Sequence, residues 1–306
     1  MDTPPAVRAR GITKYFGEVV ALDGVDLDVA PGQLHGLVGP NGAGKTTLLG
    51  LLLGLAVADK GTLDILGTPV GRALAVPDGV AGFVDGPGLY PSMTARQNLS
   101  ALAALRGDGT LQIDEVLDQV GLTDLADDRV RGFSLGMRQR LGLAAALLTK
   151  PRLLILDEPS NGLDPAGKKH VYGVLKKLAA DGTSVILSSH RMDDVEALCS
   201  EVTILATGRV AFTGPISKLA SEDSELDYRV LTSNPVTARS LARETPGIRP
   251  HETDDAELLI VSASVPALDD FVKRLVRQDV AVRELAPVVS PLEAAFLALT
   301  EQQETN

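Results

Sequence analysis

The sequence is short of several features that would assign it to other classes of protein. Cys199 is the single cysteine among 306 residues, so no disulfide can form within the chain, which fits a reducing compartment. The net charge of -11 at pH 7 argues against a protein that wraps nucleic acid electrostatically, and we expect no nucleic-acid partner. The most apolar run, 48–58, has eleven residues, whereas a membrane-spanning helix needs about 20. We therefore expect a chain that does not cross a bilayer by itself.

Other absences narrow the class further. The sequence has no internal repeat and no low-complexity tract, and residues 1–10 lack the apolar segment of a secretory signal. Hydrophobic residues make up 44% and charged residues 23%, which is typical of globular domains. A chain of 306 residues is long enough for a large core and for two domains.

The first two thirds of the chain alternate strand and helix patterns. Period-2 alternation before residue 35 predicts short strands, and the segment 34–38 predicts a short apolar strand. The continuous apolar run at 153–156 predicts a buried parallel strand, and further buried strands are predicted at 184–187 and 202–205. Helical spacing predicts a helix from residue 48, helices within 92–150, and a helix over 171–180. This order predicts an α/β fold with a largely parallel sheet.

The last third has a different organisation. Serine, glutamate and aspartate cluster at 219–227, which predicts a linker between a domain over 1–220 and a smaller one over 226–306. In the smaller domain we expect strands at 228–231, 258–262 and 280–285, with helices at 238–244, 268–277 and 291–299. These elements predict a small α+β domain.

A phosphate-binding loop follows the strand at 34–38. The segment 39–46 fits G-x-x-x-x-G-K-[ST] without a mismatch, and it lies between a predicted strand and a predicted helix. Backbone amides of this loop can cradle phosphate oxygens, while Lys45 reaches the β- and γ-phosphates and the Thr46 hydroxyl coordinates Mg²⁺. The predicted ATP-binding residues here are Gly39, Pro40, Asn41, Gly42, Ala43, Gly44, Lys45 and Thr46.

Two adjacent acids end the strand at 153–156. Asp157 is predicted to hold Mg²⁺, and Glu158 is predicted to activate the attacking water as a general base. Buried neighbouring carboxylates are costly unless a cation compensates. The alternative is a turn with solvated acids.

His190 follows the strand at 184–187. An imidazole at that strand end could sense the γ-phosphate, and we predict a catalytic role for it; the alternative is a structural histidine.

The segment 134–140 resembles the signature of ATP-binding-cassette (ABC) ATPases, Leu-Ser-Gly-Gly-Gln followed by a basic helix. Ser134 and Gly136 match it. Less common residues stand at Phe133, Leu135 and Met137, a variation similar to that of the branch that exports drugs and peptide antibiotics. The resemblance covers about residues 5–220. It implies an α/β P-loop ABC ATPase core with an antiparallel β subdomain and an α-helical signature subdomain, followed by the small α+β C-terminal domain.

The resemblance also implies partners and further site residues. It assigns adenine stacking to Phe16, nucleotide binding to Thr47, and a dimer-crossing position to Asp164. Two copies would pair head to tail, so that Ser134 and Gly136 of one copy close over ATP bound to the other. The resemblance therefore implies a homodimer with two ATP molecules and Mg²⁺.

One position departs from the family pattern. Asp85 stands at the position of the family's glutamine that ligates Mg²⁺. An acidic residue at this position resembles the pattern of the antibiotic-export branch. We predict that Asp85 keeps a metal-binding role; the alternative is a solvated loop acid. Tyr90 and Met93 follow, either in the groove that docks a membrane partner or in the core.

The expected function is therefore ATP hydrolysis coupled to export, with drug or antibiotic efflux favoured. A separate integral-membrane permease would form the pathway and choose the cargo, and the chain would lie at the cytoplasmic face of the membrane. The alternatives are the ATPase subunit of an importer and an ABC ATPase without a transport role.

Overall fold

A computed structural model of the chain describes residues 4–71, 76–105, 112–219, 225–253 and 255–304. The chain divides into two compact units, Met1–Pro215 and Ile216–Asn306. Part of the predicted linker, residues 220–224, lies outside the described residues. Within the described ranges, none of the helices combines the length and apolarity needed to cross a bilayer.

The first unit interleaves strands and helices. In chain order its strands are β1 Val7–Phe16, β2 Val19–Val29, β3 Leu34–Val38, β4 Lys60–Ile65, β5 Thr68–Pro69, β6 Val80–Phe83, β7 Leu153–Asp157, β8 Ser184–Ser188, β9 Glu201–Ala206 and β10 Arg209–Pro215. Its helices are α1 Lys45–Leu52, α2 Ala95–Leu105, α3 Ile113–Gln119, α4 Leu135–Leu147, α5 Pro165–Ala180 and α6 Met192–Leu198.

An antiparallel sheet forms one layer of this unit. Among the described residues its order is β2-β1-β4-β5. In β2, Val25, Leu27 and Val29 are buried while Asp26 and Asp28 are exposed, as period-2 alternation requires of a half-buried strand.

The second sheet carries the loops of the candidate site. Its described strands lie in the order β10-β9-β3-β8-β7-β6; β10 is antiparallel to β9, and the other neighbours are parallel. Every residue of β7 and β8 is buried, including Asp157, Ser184 and Ser188 at the strand ends. Since parallel strands share one carboxyl edge, the loops after β3, β6, β7 and β8 meet there.

A core fills the space between the two sheets and α1. Its fully buried side chains include Val7, Leu27, Leu37, Leu49 and Ile186. The helices α2, α3 and α4 come between β6 and β7, within the predicted helical region 92–150. The parallel sheet, antiparallel sheet and helical insertion confirm the predicted α/β class.

The second unit is a small sheet with helices. Its elements are β11 Leu226–Thr232, α7 Pro235–Glu244, β12 Ile248–His251, β13 Leu258–Ala263, α8 Val265–Arg277, β14 Val282–Pro287 and α9 Pro291–Glu304. The described strands pair antiparallel in the order β12-β13-β11-β14, the split βαβ arrangement. Val230, Val261, Phe271 and Leu275 lie in its core.

Some predicted boundaries are wrong. The helix predicted at 171–180 begins at Pro165, because Asp164 caps its first turn and proline is favoured at the first helical position. The strand predicted at 280–285 is Val282–Pro287, and the final helix extends from its predicted end at residue 299 to Glu304. β12 was not predicted because it contains Pro250; an edge strand tolerates proline, and β12 lies at the sheet edge.

Candidate active site

The glycine loop joins β3 to α1 as predicted. Gly44 is the residue before α1 and has a φ of 98°, a left-handed conformation that a side chain would strain. A Cβ on Gly44 would also lie 2.5 Å from the Ala21 carbonyl oxygen. Pro40, Asn41 and Gly42 are exposed, Ala43 is buried, and Thr47 is half-buried. The loop therefore presents its middle residues to solvent at the start of a helix, where an anion binds favourably.

Lys45 turns back over this loop. Its Nζ donates to the carbonyl oxygens of Gly39 at 2.7 Å and Pro40 at 3.1 Å. The residue is buried, and desolvation lowers the pKa of Lys45, while the charges of Glu158 and Asp157 oppose that shift. The ammonium is thus held at the loop by neutral oxygens, beside two carboxylates.

Asp157 joins three of the loops at the sheet edge. One carboxylate oxygen, Oδ2, accepts from Thr46 Oγ1 at 3.4 Å and from the amide of Asp85 at 3.2 Å. The other oxygen accepts a hydrogen bond from the Ser188 hydroxyl. Asp157 is buried while Thr46 is exposed, so an ion could reach this oxygen pair from the solvent side of Thr46.

Glu158 and His190 contact each other directly. Glu158 Oε2 lies 2.9 Å from His190 Nδ1, and the two side chains are 24% and 58% exposed. The amide of Glu158 donates to Ser188 Oγ at 3.1 Å. A partly exposed carboxylate oriented by an imidazole can accept a proton from water.

The oxygen donors fit a magnesium ion shared with a nucleotide. A hydroxyl and a carboxylate are hard oxygen ligands of the kind Mg²⁺ prefers, and Mg²⁺ is usually held by one or two carboxylates together with substrate phosphates. Over the part of the chain that the structure describes, no group of three or more His, Cys, Asp or Glu side chains could hold a metal ion. Thr46 and Asp157 would therefore need phosphate oxygens to complete the coordination.

Asp85 is placed beside Asp157 through its backbone. It is exposed, has a φ of 57°, and donates its amide to Asp157. Its predicted role in metal binding stays a prediction.

Ser134 and Asp164 each cap a helix in this chain, and Gly136 lies in the first turn of α4. Ser134 caps α4 by accepting from the Met137 amide at 3.1 Å, and Asp164 caps α5 by accepting from the Gly167 amide at 2.8 Å. A Cβ on Gly136 would lie 2.7 Å from the Gly162 carbonyl oxygen, so α4 packs closely on the loop before α5. No hydrogen bond joins Ser134 or Gly136 to the glycine loop among the residues described.

Phe16 lies at the end of β1 and is 55% exposed. Lys14 Nζ lies 5.4 Å from the centroid of its ring. Such an exposed ring could stack on a base, and that role stays a prediction.

Sequence reasoning missed Ser188. Its hydroxyl donates to Asp157 and accepts from the Glu158 amide, so it links the two acids to β8. Asp157 and Ser188 are paired across β7 and β8, a register that the sequence alone does not give.

Comparisons with known proteins find relatives along most of this chain. A family model described as "ABC transporter" matches residues 22–161. YdbJ of Bacillus subtilis (strain 168), an uncharacterised ABC transporter ATP-binding protein, is 36% identical, with 98% of this chain and 97% of that protein aligned. The daunorubicin resistance ATP-binding protein DrrA3 of Streptomyces coeruleorubidus is 33% identical over 96% of each chain. A solved structure of the ATP-binding subunit of an ABC transporter superposes with a TM-score of 0.63 at 26% identity, covering 70% of this chain and 91% of that one.

Proposed function

Because this chain belongs to the family of ABC transporter ATP-binding proteins, we propose that it is the ATP-hydrolysing subunit of an exporter whose membrane pathway is a separate permease. The family assignment makes the chain an ATPase with the predicted ABC ATPase fold. The observation that carries the mechanism is the contact between Glu158 and His190 beside Asp157 and the glycine loop.

Glu158 acts as the general base in this proposal. Its carboxylate accepts a proton from water as the water oxygen attacks the γ-phosphorus; the bond from that phosphorus to the bridging oxygen breaks, and ADP leaves. His190 orients the carboxylate and faces the γ-phosphate. Lys45 and the loop amides stabilise negative charge on the β- and γ-phosphates.

Thr46 and Asp157 would hold Mg²⁺, and Asp85, whose backbone amide donates to Asp157, would add its carboxylate. The ion would neutralise charge on the phosphates when bound. Asp85→Asn tests whether the acid at this position binds the ion. If it does, the substitution should alter the Mg²⁺ dependence of ATP turnover. An unchanged Mg²⁺ dependence would show that Asp85 is a solvated loop acid.

A head-to-tail homodimer completes the site in this proposal. Ser134 lies exposed at the start of α4, where a helix N-terminus favours an anion. Within one chain its neighbour Gly136 packs on the loop before α5 while Ser134 stays exposed, so Ser134 is available to close over ATP bound to a second copy. Asp164 would lie where the two copies meet, and Phe16 would stack on adenine.

Export is supported by the relatives, and a surface on the first unit supports a contact with a permease. DrrA3 is named for daunorubicin resistance. A cavity of about 120 Å³ is lined by Leu89, Leu102 and Ala145 among others, and the neighbouring Tyr90 is 54% exposed. We propose that a helix of the permease docks here, which would place the chain at the cytoplasmic face of the membrane. The cargo class that fits best is a drug or antibiotic.

We also propose that residues 1–220 act as the catalytic domain and residues 226–306 as a separate C-terminal domain.

The ATPase activity of the purified chain tests the proposal. We expect Mg²⁺-dependent turnover, loss of ATP binding in Lys45→Ala, and a fall in kcat of about a hundredfold or more in Glu158→Gln with ATP binding retained. Glu115→Gln, which removes an exposed acid on α3, is the matched control and should keep wild-type turnover. Wild-type turnover in Glu158→Gln would remove Glu158 from the role of base. Export measured in vesicles that contain the permease should likewise be lost in Lys45→Ala and Glu158→Gln and be kept in Glu115→Gln.

A further inference from the structure

A buried carboxylate lies next to the candidate site without belonging to it. Asp194, in the first turn of α6, is 4% exposed. Its Oδ2 accepts from Ser160 Oγ at 2.5 Å, and its Oδ1 accepts from Lys168 Nζ at 2.9 Å. Arg191 Nε lies 3.7 Å from the same carboxylate. Three segments of the chain therefore meet on one acid.

Each of those segments carries a residue of the candidate site. Ser160 follows Glu158 by two positions, Lys168 lies one helical turn after Asp164, and Arg191 directly follows His190. The amide of Lys168 also donates to the Asp164 carbonyl oxygen at 2.9 Å, so Lys168 and Asp164 are fixed in one turn of α5. Asp194 thus contacts the neighbours of all three site residues.

Two polar contacts connect the loop after β7 to the segment after β8. Glu158 contacts His190 at 2.9 Å, and Ser160 contacts Asp194 at 2.5 Å. With a fixed second contact so close in sequence, the loop bearing Glu158 has little freedom to move away from the loop bearing His190. Glu158 has a φ of 50°, a conformation that persists in a residue other than glycine only when its surroundings hold it.

The chemistry of Asp194 suits a fixed connection. Burial by itself would raise the pKa of Asp194, but hydrogen bonds, first that from Ser160, outweigh it and leave the pKa lowered. The carboxylate therefore stays charged, and charge-assisted hydrogen bonds are shorter and stronger than neutral ones. Ser160 is also 4% exposed, so water has little access to replace it.

We propose that Asp194 is a positioning residue for ATP hydrolysis, which through Ser160 and Lys168 sets the placement of Glu158 against His190. This inference rests on the proposed roles of Glu158 and His190. It assigns no contact between Asp194 and the nucleotide, so its loss affects the hydrolytic step and leaves nucleotide binding intact.

Steady-state kinetics of the full chain test the inference with Ser160→Ala and Asp194→Asn. Because a misplacement of about 1 Å can cost roughly a hundredfold in rate, we expect kcat to fall at least about tenfold in each variant. The KM for ATP, and the affinity for a fluorescent ATP analogue measured without turnover, should stay at the wild-type value. Ser160→Thr keeps the hydroxyl donor and should return kcat towards the wild-type value.

Asp193→Asn is the matched control. Asp193 is the neighbouring acid in the same turn of α6, its side chain is 74% exposed, and it pairs with Arg191 at 2.9 Å. Its substitution should leave kcat unchanged. An equal fall in kcat in Asp193→Asn would show that any change in this turn slows the enzyme, and the positioning role would be wrong.

Glu158→Gln, measured alongside, separates this inference from the proposed function. If Glu158→Gln is inactive while folded Ser160→Ala turns over at the wild-type rate, the positioning role is wrong and the role of Glu158 stands. If Glu158→Gln is fully active, the proposed role of Glu158 and the positioning role of Asp194 are both wrong. A raised KM with unchanged kcat would also overturn the inference, and if Asp194→Asn fails to fold, Ser160→Ala decides.

Discussion

At the scale of single residues, the ends of β6 and β7 hold two unusual backbone conformations. Asp85 and Glu158 have φ values of 57° and 50°, in the left-handed region, which is uncommon for residues other than glycine, although aspartate adopts it more readily than glutamate. Each such conformation costs about 1–3 kcal/mol unless the surroundings fix it. The amide of Asp85 donates to Asp157 and the amide of Glu158 donates to Ser188, so hydrogen bonds at the site stabilise both conformations.

The buried His35 leads us to predict that the stability of the fold depends on pH, independently of catalysis. It is buried in β3, its Nε2 lies 2.9 Å from Thr203 Oγ1, and burial lowers the pKa of His35 to about 4. The unfolded chain takes up this proton near pH 6.5, so stability declines as pH falls below that value. We expect the free energy of unfolding to decrease by about 2 kcal/mol between pH 7 and pH 5 from this group.

Urea unfolding at a series of pH values measures this effect. His35→Gln keeps a group that can hydrogen-bond to Thr203 but does not titrate, so its stability should depend less on pH over that interval. A wild-type curve that is flat from pH 7 to pH 5, or a variant with the wild-type slope, would show that the buried imidazole is not the cause.

At the scale of elements, α1 offers a matched pair of glycines. Gly50 lies within the helix, and a Cβ there would meet no atom within 4 Å, so Gly50→Ala should stabilise the fold by about 0.5–1 kcal/mol. Gly44→Ala should destabilise it by about 2 kcal/mol, because its φ is 98° and the new Cβ would meet the Ala21 carbonyl oxygen.

Chemical unfolding of both variants, with ATP affinity measured in parallel, checks this contrast. Gly44→Ala should also bind ATP more weakly, since Gly44 shapes the phosphate loop, while Gly50→Ala should bind it normally. Equal stability changes in the two variants would contradict the assigned loop conformation.

The sequence predicts best those helices and strands whose cause lies within a short stretch of the chain. The segments 153–156 of β7 and 185–187 of β8 are wholly apolar, which is typical of a buried parallel strand, whereas β3 also contains His35 and Gly36. The beginning of α5 was missed because its first turns are polar, although Asp164 followed by Pro165 is a start signal. β12 exists through its pairing with β13, which no short window of sequence contains.

The residues of the candidate site also fall into those that a local motif predicts and those that it does not. Lys45 and the acids at 157 and 158 were found because each belongs to a contiguous motif. Ser188 and Asp194 were not assigned, since they act through Asp157 and Ser160, residues more than thirty positions earlier in the chain. Contacts of that kind come from the order of strands in the sheet and the packing of α5 and α6 beside it.

At the scale of the whole molecule, one copy supplies only part of the proposed site. The glycine loop, Asp157, Glu158 and His190 lie at the carboxyl edge of the parallel sheet. Gly136 packs instead on the loop before α5, and Ser134 is exposed at the start of α4. A second copy that brings its Ser134 over the first copy's nucleotide would complete the site, and hydrolysis would then release the pair.

The most direct test is the mass of Glu158→Gln in solution, measured by light scattering with and without Mg-ATP. Because this variant should bind ATP and fail to hydrolyse it, we predict that Mg-ATP doubles its mass, that ADP does not, and that adding Ser134→Arg to the same chain abolishes the doubling. A variant that binds Mg-ATP and keeps the mass of a single chain would contradict a site shared between two copies.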